Sequence, residues 1–164
     1  MLTAGNQQER LDPQWITGFV DGEGCFHVSI NKHPRMTMRW QVLPEFRIVQ
    51  HSRDEELLKE IQRFFNAGKV VANHGGRKEL RIRKLEELQM VVKFFGRNRL
   101  RTQKKKDFQL FRKVLSSMEK REHLTTAGLR KIANLCWKMN RKVKPRYLES
   151  SETLRRKSLS GRLR

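Results

Sequence analysis

Asp21 and Glu23 flank Gly22 at the end of the stretch Leu11–Gly24, read LDPQWITGFVDGEG. Their setting singles them out. The stretch starts as a well-marked helix. Asp12 can cap the free N–H groups, Pro13 sits at the first helical position, and Leu11 and Ile16 take the two places of a hydrophobic staple. Trp15, Ile16, Phe19 and Val20 give an apolar stripe at helical spacing, while Gly18 and Gly22 leave a strip of bare backbone. The two acids then arrive where the helix C-terminus is already partly negative. A chain with 37 Lys and Arg against 17 Asp and Glu had lysines to spare for that place. Carboxylates there are disfavoured until a cation arrives, and a divalent cation turns that cost into binding energy. Hard cations take carboxylate and backbone oxygens, make a water nucleophilic and stabilise a leaving oxyanion. The plain alternative is an amphipathic helix closed by a glycine.

Composition narrows the substrates. At 164 residues the chain reads as one domain, able to bury roughly two thirds of its unfolded surface. A formal net charge of +20 and a pI near 11.0 favour DNA, RNA or acidic membrane. No apolar run approaches spanning length, which argues against a membrane partner. MLTAGNQQER lacks the apolar core of a signal peptide. Cys25 and Cys136 stand apart and the five histidines are scattered, so zinc is not expected and a reducing, intracellular compartment is.

The elements that must position the acids follow in order. Cys25–His33 alternates, with Phe26, Val28 and Ile30 toward a core and His27, Ser29, Asn31 and His33 away from it. After a turn near Arg35–Thr37, Trp40, Val42, Phe46 and Ile48 share one face. Arg39, Gln41, Leu43, Glu45 and Arg47 share the other, and Pro44 points to a bulge or an edge. Ser52 and Glu55 have the spacing of a capping box before a helix carrying Leu57, Leu58, Ile61, Phe64 and Phe65, with Gly68 as its stop. A second hairpin turns at His74–Arg77. Its outward residues are Lys69, Val71 and Asn73 on one strand, and Glu79, Arg81 and Arg83 on the other. Leu85, Leu88, Val91, Val92 and Phe95 give a third helix, ending at Gly96.

Ile16–Gly24, ITGFVDGEG, resembles the nine-residue LAGLIDADG motif of the homing endonucleases, with Thr17 for Ala and Glu23 for the last Asp. The helix and hairpin order matches one αββαββα unit of that family. The resemblance implies an α+β fold with a curved four-stranded antiparallel sheet in the DNA major groove, followed by C-terminal helices. The outward strand residues would then read bases: Arg and Lys suit guanine, Asn and Gln suit adenine, and Leu43 could meet a thymine methyl. The other reading is a solvated sheet face, favoured by Glu45 and Glu79.

The resemblance continues. The basic run RNRLRTQKKK, Arg97–Lys106, leads into a helix with Phe108, Phe111, Leu115 and Met118 on its stripe. Family likeness assigns a lysine of this run to the cleavage centre: Lys104, with Lys105 and Lys106 left open by the register. Leu124-Thr125 opens a last helix, and the phrase from His123 to Asn140 completes the resemblance. By the same likeness Glu23 and the Gly22 carbonyl hold Mg²⁺, for which Mn²⁺ substitutes. Gln50 orients water, and Asp21 fixes the helix junction. Single-motif members dimerise through the motif helices, here through Trp15, Gly18, Asp21 and Gly22. The expected target is a long pseudo-palindromic DNA duplex cut in both strands, with a bacterial cytoplasm or an organelle (chloroplast or mitochondrion) as the setting. The rivals are an intron maturase that binds RNA and a non-catalytic DNA-binding regulator. Residues 1–140 would form the endonuclease domain. Residues 141–164, with nine Lys and Arg against Glu149 and Glu152, would form a weakly ordered basic tail.

Overall fold

The computed structural model describes residues 10–139 and 145–149. Helix α1, Pro13–Glu23, runs without a loop into strand β1, Gly24–Lys32, which returns as β2, Trp40–His51. Helix α2, Glu55–Phe65, leads to the hairpin β3, Lys69–Asn73, and β4, Arg77–Ile82. Helices α3, Leu85–Arg97, α4, Lys104–Glu119, and α5, Thr126–Trp137, follow. The αββαββα order and the antiparallel sheet are as expected, with strand order β1-β2-β4-β3.

The core lies between one face of this sheet and the helices. Phe26 is its hub: its ring lies 5.1–5.7 Å from those of Phe46, Phe95, Phe108 and Phe111, which belong to β2, α3 and α4. Ile16 and Val20 of α1 are fully buried in the same core. Each contributes about 1.5–3 kcal/mol by leaving water. The N-terminus of α1 is capped as the sequence indicates, with Asp12 Oδ1 accepting from the N–H groups of Gln14 and Trp15 at 2.8 and 3.0 Å.

Several local expectations need correction. Ser52 and Glu55 form no capping box. Ser52–Asp54 is a single 3₁₀ turn, capped by His51, whose Nδ1 accepts from the Arg53 N–H at 3.2 Å. Asn66, in the left-handed region at φ 46°, ends α2 in place of Gly68. Gly68 is needed for another reason: its φ is 76°, and a Cβ there would lie 2.6 Å from the Arg81 carbonyl oxygen. Pro44 makes no bulge, because the β1–β2 register runs unbroken from Gly24↔Ile48 to Lys32↔Trp40. β2 is central, yet β4 pairs with it only from Phe46 onward, so Pro44 sits where β2 is a local edge. His33, Arg39 and Arg83 fall outside the strands: β1 stops at Lys32, Arg39 is a left-handed turn residue at φ 56°, and β4 stops at Ile82.

Within the expected tail, Arg146–Glu149 forms a short 3₁₀ turn. It buries Tyr147 edge-on against Trp40, with ring centroids 5.3 Å apart. The rest of the expected tail, 141–144 and 150–164, lies outside the described residues.

Candidate active site and nucleic-acid interface

The junction between α1 and β1 builds the site. A Cβ on Gly24 would lie 2.6 Å from Val20 Cγ1 and 2.9 Å from the Val20 carbonyl oxygen, so only glycine lets the helix turn directly into the strand. Glu23 is therefore held one residue before the sheet begins, with its carboxylate exposed. Gln50 stands on β2, two residues beyond Ile48, the cross-strand partner of Gly24. Its Nε2 donates to Glu23 Oε2 at 3.4 Å.

Lys104, the first residue of α4, reaches back to the same place. Its Nζ donates to the Gly22 carbonyl oxygen at 3.0 Å. Burial pulls its pKa below the ordinary lysine value, against the opposing pull of Cys25, Asp21, Glu23 and Asp107. Lys105 points elsewhere, into a cleft of about 660 Å³ between α1 and residues 97–101.

Asp21 does something different. Its carboxylate accepts from the Arg101 N–H at 2.7 Å, the Thr102 N–H at 3.1 Å and the Thr102 hydroxyl at 2.6 Å. The Thr102 Oγ1 in turn accepts from the Lys104 N–H at 3.2 Å. Asp21 thus ties the α3–α4 loop to the end of α1 and sets where α4 begins. Burial pushes its carboxyl up, but the Thr102 hydroxyl, the Arg101 and Thr102 amides and the Lys104 charge outweigh it, and the pKa falls below the usual aspartate value. Thr102 and Arg101 were not legible as site residues. The available signal was a threonine two residues ahead of a helix, where hydroxyls cap free N–H groups.

The donor set here is oxygen: the Glu23 carboxylate, the Gly22 carbonyl and the Gln50 amide. Among the described residues no group of three or more His, Cys, Asp and Glu could hold a metal. One carboxylate with carbonyl oxygens fits magnesium, which keeps several waters of its own, and does not fit zinc.

The family model described as LAGLIDADG endonuclease matches residues 16–115. The chain belongs to that family. Among solved LAGLIDADG structures, the homing endonuclease I-TnaI is 47% identical with a TM-score of 0.78, over 89% of this chain and 95% of that one. I-SmaMI bound to cleaved DNA is 31% identical with a TM-score of 0.83, over 87% of this chain and 48% of that one. A protein of Neurospora crassa named "Probable intron-encoded endonuclease 2" is 33% identical over 84% of this chain and 32% of its own length. This chain spans about a third of the length of that relative. No helix among the described residues is long and apolar enough to cross a membrane.

The sheet face away from the helices carries the LAGLIDADG chain's polar strand residues. Arg47 pairs laterally with Cys25 on one side and Arg81 on the other, and Arg81 with Lys69, so one row crosses all four strands. His27 faces Glu45, Ser29 faces Leu43 and Asn31 faces Gln41. Val71 faces Glu79, and Asn73 faces Arg77. Burial pulls the His27 pKa down, with help from Arg47 and against Glu45. His27, Ser29, Asn31, Arg47 and Lys104 line a cleft of about 900 Å³, whose far side includes Cys136, Met139, Pro145 and Arg146. The polar sheet face is therefore continuous, through Lys104, with the Glu23 cluster.

Two expected base readers do not have that access. Glu45 and Glu79 lie on this face but are only 5% and 1% exposed. Arginines cover them: Arg83 Nε lies 2.8 Å from Glu45 Oε2, and Arg81 Nε lies 2.9 Å from Glu79 Oε1. Arg83, although past the end of β4, returns to the face through this pair. His33 and Arg39 instead hold the β1–β2 turn, the His33 N–H donating to the Arg39 carbonyl at 2.9 Å.

On the opposite flank of the site, α1 offers its remaining side. Trp15 is 44% exposed and stacks on Phe19 with centroids 5.0 Å apart. A Cβ on Gly18 or Gly22 would meet nothing within 4 Å, so both glycines present open backbone.

Proposed function

We propose that this chain is a site-specific DNA endonuclease that cleaves both strands of a long pseudo-palindromic duplex as a homodimer, by Mg²⁺-dependent phosphodiester hydrolysis. The observation that carries the reading is the convergence of Glu23, the Gly22 carbonyl, Gln50 and Lys104 at the α1 end of the sheet. Glu23 and the Gly22 carbonyl would hold the ion, with Lys104 Nζ, which here donates to that carbonyl at 3.0 Å, turning to the phosphate. When bound, the ion supplies Lewis-acid stabilisation at the scissile phosphate and acidifies water. Gln50 steadies the Glu23 carboxylate through its N–H groups and keeps its amide oxygen to orient a water. Lys104 places a positive charge where negative charge develops on phosphate.

One carboxylate centre serves one strand, and a duplex has two. The bare backbone at Gly18 and Gly22, beside the exposed Trp15–Phe19 stack, suits close approach of a second α1. A two-fold axis there places one Glu23 on each strand and asks for a target of matching symmetry. A net charge of +20 supplies phosphate affinity along the site.

The test is selection of cut duplexes from a random library with Mg²⁺, followed by sedimentation on the selected target. Cleavage of both strands at two-fold-related positions, with two chains per duplex, is expected. Sequence-specific binding without cleavage would make the chain a DNA-binding regulator. Preference for structured RNA over every duplex would make it a maturase. Cleavage by one chain per duplex would refute the dimer.

A further inference from the structure

The sheet face that should be its most polar conceals two carboxylates, Glu45 and Glu79. Burying a charge is costly unless it is paired, and even a well-paired buried bridge roughly breaks even in stability. Neighbouring outward positions hold Leu43, Val49 and Val71, so an acid is not required for this fold. What the acids accomplish is geometric.

Glu79 accepts from Arg81 at Nε, 2.9 Å, and at Nη2, 3.1 Å, which occupies the side edge of that guanidinium. Asn73 Nδ2 donates to Glu79 Oε2 at 2.9 Å and holds the carboxylate in turn. Glu45 accepts from Arg83 Nε at 2.8 Å and lies 3.3 Å from Arg47 Nε. Burial pushes the Glu79 carboxyl up, but Arg81, with Arg47 and Arg83, outweighs it and keeps it ionised. Among the described residues, the end edge of Arg81 and of Arg83, formed by the Nη1 and Nη2 groups, keeps N–H groups without a protein acceptor. An arginine end edge presents two parallel N–H donors, the match for N7 and O6 of guanine. A fork already locked in place loses little freedom on docking and cannot swing to a phosphate.

We propose that Glu45 and Glu79 are positioning residues that set target specificity without touching DNA: they hold Arg83 and Arg81 as fixed forks that demand guanine at two neighbouring base pairs of each half-site. This rests on the reading that the sheet face enters a DNA major groove.

The experiment selects bound duplexes from a random library, using the full chain in metal-free buffer, with wild type, Glu79→Gln, Arg81→Lys and Glu45→Gln. Wild type should select guanine at two-fold-related positions. Glu79→Gln and Arg81→Lys should each weaken guanine preference about tenfold at the same base pair of each half-site. Glu45→Gln should do so at the neighbouring pair. Preference elsewhere should hold, which a merely structural loss would not allow. Arg81→Lys keeps its charge at a half-exposed site, so it reports even if Glu79→Gln folds poorly. Three results would overturn the inference alone: a wild-type consensus without guanine, guanine preference kept in Arg81→Lys or Glu79→Gln, or different positions altered by these two variants. A wild type that selects no sequence would overturn the endonuclease reading along with it.

Discussion

Replacing Asp21 by Asn separates the structural acid of the motif from Glu23, the one proposed to hold the ion. Asp21 accepts three hydrogen bonds, from the Arg101 N–H, the Thr102 N–H and the Thr102 hydroxyl. An amide keeps one oxygen: in the place of Oδ1 it still accepts from the Thr102 N–H and hydroxyl, while its NH₂ group meets the Arg101 N–H, so one of the three is broken and the other two lose their charge. A hydrogen bond to a charged group contributes roughly 1.5–3 kcal/mol, and solvent access at this half-exposed site argues for less. The expected loss is about 2 kcal/mol, which lowers the melting temperature of a chain this size by about 4–8 °C. The pH dependence has a definite sign. The folded pKa of Asp21 is depressed, so its contribution is present above the ordinary aspartate value of 3.8 and is lost as pH falls through the lowered one. The gap between wild type and variant should therefore close in acid and stay constant from pH 5 upward.

The same substitution should reach the lysine. Thr102 links Asp21 to the first turn of α4, and Lys104 leaves that turn for the Gly22 carbonyl. A displacement on the order of 1 Å at a catalytic group costs up to about a hundredfold in rate. Asp21→Asn should therefore slow cleavage by roughly ten- to a hundredfold while some activity remains. The assay pairs calorimetric melting with single-turnover cleavage of the selected target. An unchanged melting temperature with unchanged cleavage would refute the role assigned to the loop. Normal melting with no cleavage would move Asp21 into the catalytic group.

Glu23→Gln should keep its melting temperature, lose Mg²⁺-dependent cleavage, and bind DNA in Ca²⁺ or without metal as well as wild type or slightly better; near-normal cleavage would remove the basis of the catalytic assignment. Gly18→Leu fills open space on α1 and should give a folded monomer by sedimentation, with the same near-ultraviolet spectrum and no double-strand cleavage. Phe26→Ala empties the centre of the aromatic core and should destabilise by about 3–5 kcal/mol in urea titration. Truncation after Glu149 spares Tyr147 and removes the basic residues at 155–157, 162 and 164. The log K against log salt slope should then flatten by about 0.9 for each phosphate that those residues neutralise, with the preferred sequence unchanged.

The sequence made the α1 end legible because local rules conflict there: a capped, stapled helix ending in two acids within a basic chain. The strands were legible because alternation has a period of two and one face is apolar. What escaped is what depends on residues distant in sequence. Thr102 and Asp21 are separated by 81 positions, and no periodicity links them. Glu45 and Arg83 are 38 apart, so the burial of an outward acid was invisible until the register between β2 and β4 was known. A glycine after an apolar helix reads as its stop, whereas the position of Gly68 answers to the Arg81 backbone on a neighbouring strand. The lysine register was open because three identical residues share one helix turn, and only the packing of α4 sends Lys104 to Gly22 and Lys105 to the other flank.

The order Asp-Gly-Glu also explains how one helix end serves several purposes. Residues two apart on a helix point about 200° apart, so Asp21 and Glu23 cannot share a task. Asp21 turns back to the α3–α4 loop, and Glu23 turns toward β2 and Gln50. The glycine between them leaves its carbonyl reachable, and Lys104 takes it. A side chain at position 22 would meet no atom of this chain, so sterics within one chain do not require glycine there. In the proposed dimer, a second α1 packed against the bare strip would impose that requirement. On that reading Gly22 is fixed by two demands, and an alanine there should weaken dimerisation while leaving the monomer as stable as before.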